Sequence, residues 1–488
     1  MTAPGIRIRI GHDPLDPETV VRFARAAVVP VELAPAARER IAETHRTADA
    51  VAERRSVYGR TTGVGANRII EAAEDRVGHA MRLLRSHATG LGDELPEEVV
   101  RATLLIRLAQ LAAGGGGLRP ELADALARAL REGWLPRLHD TGGIGTGDVT
   151  VLAQLGLALA GEDGGWHGPE VGRPPSPGIG PGDALPLVSS NAATLAVATL
   201  AWGALRELFD ASLGVAALSF HAVSGNAEAF AEPVGRAHPV PGLVAVSAAL
   251  RRLCVGAVAP ARLQDSFALR CLPPVAGALH DALAALRELL ALELNAAAEN
   301  PLFADGAAFH HGGFHAAPLA LALDTVRLAL VPVGALAAAR VTALLEPAVS
   351  GLPPFLAVGE PGSSGLLIAE YAAADALARL RADAAPTVLG AAVISRGTEE
   401  HASFAWQGAW QAERAVGRLR RLLGLEWIAA ERALRMKHVL TPPVLDAARS
   451  LAAGFEGPRE DRVIGPDVHR AEASLPELAA AVRGVLAT

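Results

Sequence analysis

The segment DTGGIGTGDVTVLAQL, residues 140–155, places several glycines around Thr146, directly before an apolar pattern of helical type. Such a segment could cradle a phosphate, turn the chain, or let its own backbone undergo chemistry. A dinucleotide fingerprint needs G-x-G-x-x-G after a strand and a P-loop needs Gly-Lys-Ser/Thr, and the segment has neither pattern. A helix start with Asp148 as N-cap accounts for Gly147 and Asp148 but not for the other glycines. The segment is therefore no nucleotide loop, and a simple turn explains only part of it.

Two further side chains could carry chemistry. Tyr58 lies in a glycine-bounded loop, which suits a mobile lid better than a core position. As a general base it must lose its proton near neutral pH, helped by its surroundings. Arg270, in the apolar frame FALRCL, needs a buried anion or a substrate carboxylate as its partner.

The sequence favours neither a metal nor pyridoxal phosphate. His310, His311 and His315 lie in a glycine-rich stretch without the carboxylate and helical spacing of a zinc motif, so we expect no metal. Pyridoxal phosphate enzymes need a Schiff-base lysine. Lys437 is the only lysine and is distant in sequence from the glycine-threonine segment, Tyr58 and Arg270.

The glycine-threonine segment resembles the G-A-S-G-D-L-A-P-L motif of the aromatic amino acid ammonia-lyase family, and the chain is most similar to its histidine ammonia-lyase branch. Further matches follow in the order in which the family has them. They are Tyr58–Gly65 with Y-G-x-N-T-G-F-G, Ser86–Gly90 with S-H-A-A-G, Gln264–Cys271 with Q-D-x-Y-S-L-R-C, Glu293–Leu302 with E-x-N-A-x-x-D-N-P-L, Gly312–His315 with G-N-F-H, Leu352–Leu356 with L-P-P-F-L, and Glu399–Ser403 with E-D-H-V-S.

The resemblance implies that Gly145-Thr146-Gly147 cyclises and loses water, which gives an electrophile of the methylidene-imidazolone (MIO) type. A glycine after the threonine suits this reaction, because its unhindered amide nitrogen must attack a carbonyl two residues back. The following helix would point its positive end at the ring. The resemblance also implies a homotetramer whose chains share active sites.

The resemblance assigns roles to individual residues as well. Tyr58 matches the catalytic base and Arg270 the residue that binds the substrate carboxylate. His87 and Glu399 match positions that hold the imidazole of histidine-type substrates, although Glu399 in its E-E-H run also fits an exposed face. The other assigned substrate-binding positions are Ser189, Asn191, Gln264 and Phe314.

Several departures from the family pattern concern the chemistry, and one of them is Gly313 in place of the asparagine of G-N-F-H. Thr146 replaces a serine, so dehydration would give a more crowded and less electrophilic ethylidene carbon. Gly145 replaces an alanine and loses more entropy in the cyclising turn. Phe267 takes the place of a second catalytic tyrosine and lacks its hydroxyl. A family asparagine falls on Ser189, or on Asn191 after a local shift.

Composition limits the class of protein. The chain has 488 residues, 51% of them hydrophobic and only 4% aromatic, which favours closely packed helices. A net charge of −7 leaves no polybasic face for nucleic acid or an anionic membrane. Cys254 and Cys271 lack metal spacing and are interpreted as reduced. Because the N-terminus lacks the apolar run of a signal peptide, we expect a soluble, cytoplasmic protein.

These residues must be positioned by a mainly α-helical fold, with a bundle of long central helices and, from the resemblance, the ammonia-lyase/fumarase-like superfold. We expect domains at residues 1–190, 191–435 and 436–488. Short strands are expected in IRIRI near the start and around Gly59–Ile70, and a loop at Gly161–Gly182. The apolar periodicity predicts helices over Pro96–Ala113, Arg119–Leu135 (with Pro120 first), Asn191–Phe220, Pro274–Glu299, Pro318–Glu346, Gly365–Ala384 and Phe404–Leu434.

The leading hypothesis is an MIO-type carbon–nitrogen lyase that eliminates ammonia from a small, histidine-like amino acid. An aminomutase uses the same parts and re-adds the amine. Two other hypotheses are an enzyme on this fold that never cyclises Thr146 and a catalytically silent protein that binds a ligand or partner.

Overall fold

The computed structural model describes residues 7–26, 29–72, 74–162, 165–256, 258–438, 443–455, 457 and 460–487. The chain divides into two compact units. The first unit consists of Met1–Gly203, Leu286–Leu323 and Pro386–Trp410, and the second of Ala204–Ala285, Asp324–Ala385 and Gln411–Thr488. The predicted domain boundaries stay a prediction.

Helices dominate the described chain, as the composition predicts. Their bounds in chain order are α1 Pro17–Ala24, α2 Pro35–Ala52, α3 Arg76–His87, α4 Glu97–Ala113, α5 Pro120–Glu132, α6 Val149–Ala160, α7 Ala184–Val188, α8 Ala192–Ala222, α9 Glu232–Ala237, α10 Pro241–Leu253, α11 Phe267–Arg270, α12 Leu272–Glu293, α13 Ala317–Leu345, α14 Pro347–Ser350, α15 Leu367–Asp383, α16 Ala405–Lys437, α17 Asp446–Leu451 and α18 Gly465–Ala487.

The periodicity predicts the long helices within a few residues, and Pro120 is at the first position of α5. The clearest difference is the end of α12, which stops at Glu293 and not at Glu299. The side-chain amide of Asn295 donates to the Ala291 carbonyl at 2.9 Å and also bonds both backbone groups of Leu15. The Asn295 side chain thus satisfies a carbonyl of the last turn of α12 and binds the chain to the segment at Leu15. The helix therefore ends at Glu293.

Within the described residues, the first unit also contains three two-stranded sheets. They are a parallel pair, β1 Ile8–Ile10 with β2 Val31–Leu33, and two antiparallel pairs, β3 Leu135–Pro136 with β4 Trp166–His167 and β5 Leu302–Ala304 with β6 Ala307–Phe309. The strand predicted in IRIRI is confirmed.

The strand predicted around Gly59–Ile70 is wrong. That segment is a loop with a 3-10 turn at Gly65–Asn67 and one isolated bridge between Thr62 and Glu71. Gly59 and Gly65 both have positive φ, which an extended strand does not accommodate. The predicted loop at Gly161–Gly182 is largely irregular, with β4 inside it; residues 163 and 164 lie outside the described residues.

Two stretches of the described chain, Ala184–Ala222 (α7 and α8 together) and α13, are long and apolar enough to cross a membrane by length and composition alone. In the first, 94% of the most apolar window is buried inside the protein, and in α13 44% is buried. The charges that interrupt α13 are buried and paired: Arg327 bonds Asp324, and Arg340 bonds Glu426 at 2.6 Å. A buried core helix passes the same test, so these helices are weak evidence for a membrane protein.

Candidate active site

The glycine-threonine segment lies between β3 and α6 and is anchored through its backbone carbonyls. Gln407 donates to the Gly143 carbonyl at 2.7 Å, and the Phe404 amide donates to the Ile144 carbonyl at 2.9 Å. The Trp406 indole donates to the Asp140 carbonyl at 2.9 Å. All three donors lie at or next to the first turn of α16. This end of the helix therefore fixes the part of the segment that precedes Thr146.

Gly145 adopts a φ of +77°, a conformation that L side chains rarely adopt. Its carbonyl oxygen accepts hydrogen bonds from the Ser403 hydroxyl at 2.6 Å and from the Ala316 amide at 3.3 Å. A Cβ added at this position would lie 2.1 Å from the Ser403 Oγ and 2.7 Å from the Ala405 nitrogen. Packing thus explains why glycine stands where the family motif has alanine.

On the other side of Thr146, the Gly147 amide donates to the Asn191 side-chain oxygen at 3.1 Å. The Asn191 side-chain nitrogen in turn donates to the Phe314 carbonyl at 2.5 Å. Ser189 is directed elsewhere, because its hydroxyl accepts from the Asn300 amide at 3.1 Å. Of the two alternatives for the family asparagine, Asn191 is the residue that contacts the segment.

Asp148 precedes α6 at the N-cap position, but its side chain makes no cap hydrogen bond there, so the N-cap interpretation is wrong for the carboxylate. The fully buried carboxylate instead accepts from the Thr194 amide at 2.7 Å and from the Thr194 hydroxyl at 2.6 Å, in the first turn of α8. Burial raises the pKa of Asp148 to about 6, and the bonds from Thr194 partly oppose that rise. The carboxylate therefore joins the segment to a second helix start.

Tyr58 lies in the loop before the 3-10 turn, and its hydroxyl oxygen accepts from the Gly65 amide at 2.8 Å. Burial raises the pKa of Tyr58, and the nearby Glu399 carboxylate raises it further, while the Gly65 bond and Arg68 act in the opposite direction. The expected help from the surroundings is therefore absent from the described part of the chain, where the net effect opposes ionisation.

His87 and Glu399 are placed differently from each other. His87 ends α3, and its Nδ1 lies 2.8 Å from the Leu83 carbonyl oxygen. Glu399 lies in an isolated bridge with Ile394, where its carboxylate is next to Gly65 and Tyr58. Among the hydrogen bonds of the described residues, none joins His87 to Glu399.

Gln264, Phe267 and Arg270 belong to the second unit and are described there by themselves. Gln264 is exposed and Phe267 is 62% exposed. The guanidinium carbon of Arg270 lies 4.5 Å from the centre of the Phe267 ring, and its buried Nε has no hydrogen-bond partner within the described residues. An arginine with a free buried donor is suited to bind an anion.

Two features beside the segment depend on contacts that the sequence does not reveal. One is Ser403, and the other is a histidine pair in which Nδ1 of His401 lies 3.0 Å from Nε2 of His315. Burial and the neighbouring His401 lower the pKa of His315. Both features lie in the matched G-G-F-H and E-E-H-A-S segments, so the motifs pointed to them without indicating their contacts.

No group of three or more histidine, cysteine or acidic residues within the described ranges is arranged to hold a metal. The residues present do fit a cyclised backbone group at 145–147. The two groups that ring closure must join are both hydrogen-bonded to buried side chains: the Gly145 carbonyl accepts from Ser403, and the Gly147 amide donates to Asn191. Both flanking glycines have the positive φ of a tight turn.

Comparisons with known proteins cover nearly the whole chain. The family model described as aromatic amino acid lyase matches residues 15–453. The chain is 34% identical over 493 residues to histidine ammonia-lyase of Streptomyces coelicolor, covering 95% of each protein. Its structure is similar to tyrosine aminomutase from Streptomyces globisporus, with a TM-score of 0.89, 27% identity and 99% of each chain covered. It is also similar to the ergothioneine-degrading enzyme ergothionase from Treponema denticola, with a TM-score of 0.89, 25% identity and coverage of 97% of this chain and 99% of that one.

Proposed function

We propose that this chain, which belongs to the aromatic amino acid lyase family, is a carbon–nitrogen lyase that eliminates ammonia from an α-amino acid, with a histidine-like substrate preferred. The observation that carries the proposal is the fixed turn at Gly145-Thr146-Gly147, whose carbonyl and amide are both held. The similarity to histidine ammonia-lyase over 95% of the chain supports the histidine-like substrate.

The proposed prosthetic group is an MIO-type ring formed by Gly145, Thr146 and Gly147 themselves. When present, such a ring supplies an electrophilic carbon that makes the substrate's amino group a better leaving group. Ser403 and Asn191 would hold its backbone, and the Phe314 carbonyl would fix the Asn191 side chain. Neither pyridoxal phosphate nor a metal enters this proposal.

Tyr58 is proposed to remove the β-proton of the substrate and Arg270 to bind its carboxylate. Burial raises the pKa of Tyr58, so its role as base needs the bound substrate or the complete assembly to favour its ionised form. His87, Gln264 and Glu399 would bind the side chain and polar groups of the substrate.

We further propose that the chain forms a cytoplasmic homotetramer with shared sites. Leu263 is 90% exposed and Phe267 is 62% exposed, and more than half of the most apolar window of α13 is not buried by its own chain. A second copy would cover such apolar surface. Light scattering of the purified protein tests the mass of the assembly, and a monomer would contradict shared sites.

An aminomutase is the second candidate, favoured by the similarity to tyrosine aminomutase over 99% of both chains. It would return the amine to the β-carbon. Free ammonia and a conjugated acid indicate a lyase, whereas a β-amino acid indicates an aminomutase.

The test begins with the intact mass. Ring formation removes two water molecules, and digestion must place that loss in the peptide that contains residues 145–147. The protein is then incubated with histidine, ergothioneine and tyrosine while ammonia and absorbance are followed. Tyr58→Phe is the control: it should keep the mass loss and lose the turnover. An unmodified mass would overturn the MIO proposal and leave a ring-free enzyme or a binding protein.

A further inference from the structure

The Gly145 carbonyl has the surroundings of an oxyanion hole. Its oxygen accepts from the hydroxyl of Ser403, which is 2% exposed, and from the Ala316 amide. In ring closure this oxygen takes up negative charge, because the Gly147 nitrogen attacks the carbon that carries it. Donors aimed at a developing oxyanion in a water-excluded site lower the barrier more than the same bonds do in water.

We propose that Ser403, with the Ala316 amide, is a catalytic residue for the chain's own cyclisation; the inference rests on the proposed function. The Gly147 nitrogen forms a bond to the Gly145 carbonyl carbon, and the π electrons move to the oxygen. That oxygen gains a proton as the Gly147 nitrogen loses one. The resulting hydroxyl leaves as water with the Thr146 amide proton, and the Thr146 hydroxyl leaves as a second water with its Cα proton.

The Ser403 hydroxyl is held in the orientation this role requires. Its oxygen accepts from the Ala405 amide at 3.3 Å while its proton is donated to Gly145. Ala405 is the first residue of α16, a helix of 33 residues. The positive end of this helix polarises the hydroxyl and makes it a stronger donor.

The Gly147 amide, whose nitrogen attacks the Gly145 carbonyl carbon, is also held by a hydrogen bond. The Gly147 amide donates to the Asn191 side-chain oxygen at 3.1 Å, so its proton is directed at Asn191 and not at the Gly145 carbonyl. Ring closure places negative charge on the Gly145 oxygen and positive charge on the Gly147 nitrogen. Two donors contact that oxygen and one acceptor contacts that amide, so both charges are stabilised. The backbone at 145 leaves room for Ser403 only because the residue there is glycine.

The experiment follows ring closure by mass, independently of turnover. The full chain is synthesised without cells, samples are denatured at timed intervals, and the fraction that has lost two waters is measured. Wild type, Ser403→Ala, Ser403→Thr and Ser403→Cys are compared. Removing one oxyanion-hole donor slows a reaction by about 100-fold or more, which is the effect expected for Ser403→Ala. Threonine should keep most of the rate, and cysteine, a weaker donor, less.

Ser350→Ala is the matched control. Ser350 is buried, donates to the Glu346 carbonyl at 2.9 Å and accepts from the Leu352 amide at 3.3 Å, yet belongs to the second unit. It should leave ring closure unchanged. Helix content by circular dichroism shows whether each variant folds.

The outcomes separate the two proposals. If Ser403→Ala loses both waters at the wild-type rate, the oxyanion role is overturned and the lyase proposal stands. If the wild type keeps its full mass, the MIO proposal fails and this inference fails with it. Should Ser403→Ala not fold, the threonine and cysteine variants decide: slower closure with cysteine supports the role, and equal rates overturn it.

Discussion

Gly145→Ala introduces the residue that the family motif carries, and the structure predicts that it damages this protein. The added Cβ would lie 2.1 Å from the Ser403 Oγ and 2.7 Å from the Ala405 nitrogen, which is backbone and cannot move freely. The φ of +77° is also unfavourable for alanine. The change should therefore reduce stability and displace the donor on the Gly145 carbonyl.

The magnitude follows from two contributions. A left-handed backbone conformation costs an L-residue about 1–2 kcal/mol. Crowding a packed site costs about 1–3 kcal/mol more. Gly145→Ala should thus lower the free energy of unfolding by about 2–5 kcal/mol, measured by urea denaturation, and slow the loss of two waters in the intact mass.

Gly306→Ala is the control. Gly306 has a φ of +72°, close to that of Gly145, but a Cβ there would meet no atom within 4 Å. It carries the backbone strain alone, about 1–2 kcal/mol, and should not affect ring closure. If Gly145→Ala unfolds at the same urea concentration as Gly306→Ala and closes its ring at the wild-type rate, the steric reasoning is refuted.

Three other predictions concern the segment and other residues of the first unit. His315 lies beside His401 in the folded protein, where its pKa is lowered. Below a pH of about 6.5 the unfolded chain therefore binds more protons at this residue than the folded chain does. The free energy of unfolding should decrease as the pH is lowered through this range. His315→Gln should flatten this fall in urea titrations between neutral and acidic pH; an unchanged slope would contradict it. Glu299→Ala leaves the fully buried Arg107 without its carboxylate partner at 2.8 Å and should cost about 3–5 kcal/mol of unfolding free energy, and an effect under 1 kcal/mol would speak against an intact pair. Thr146→Ser removes the methyl group from the reactive carbon and should raise turnover in the ammonia assay; no gain would point to a site adapted to threonine.

Local order in the sequence determined the helices. Apolar residues at three- and four-residue spacing, with starts such as Pro120, predict α4, α5, α8, α13, α15 and α16 because these signals act within a few residues. The sequence also identified the glycine-threonine segment and its departures from the family. The short strands were mostly missed, since two or three residues carry too little periodicity to be distinguished from loops.

Only the tertiary structure decided which side chains meet at the segment. Ser403 reaches the carbonyl of Gly145 across 258 residues of sequence, and Asn191, not Ser189, reaches the Gly147 amide. The direction of the pKa shift of Tyr58 likewise depends on burial and on Glu399, far along the chain. Composition and spacing specify which residue types are available, but the distance and orientation between atoms on separate elements arise only when the helices pack.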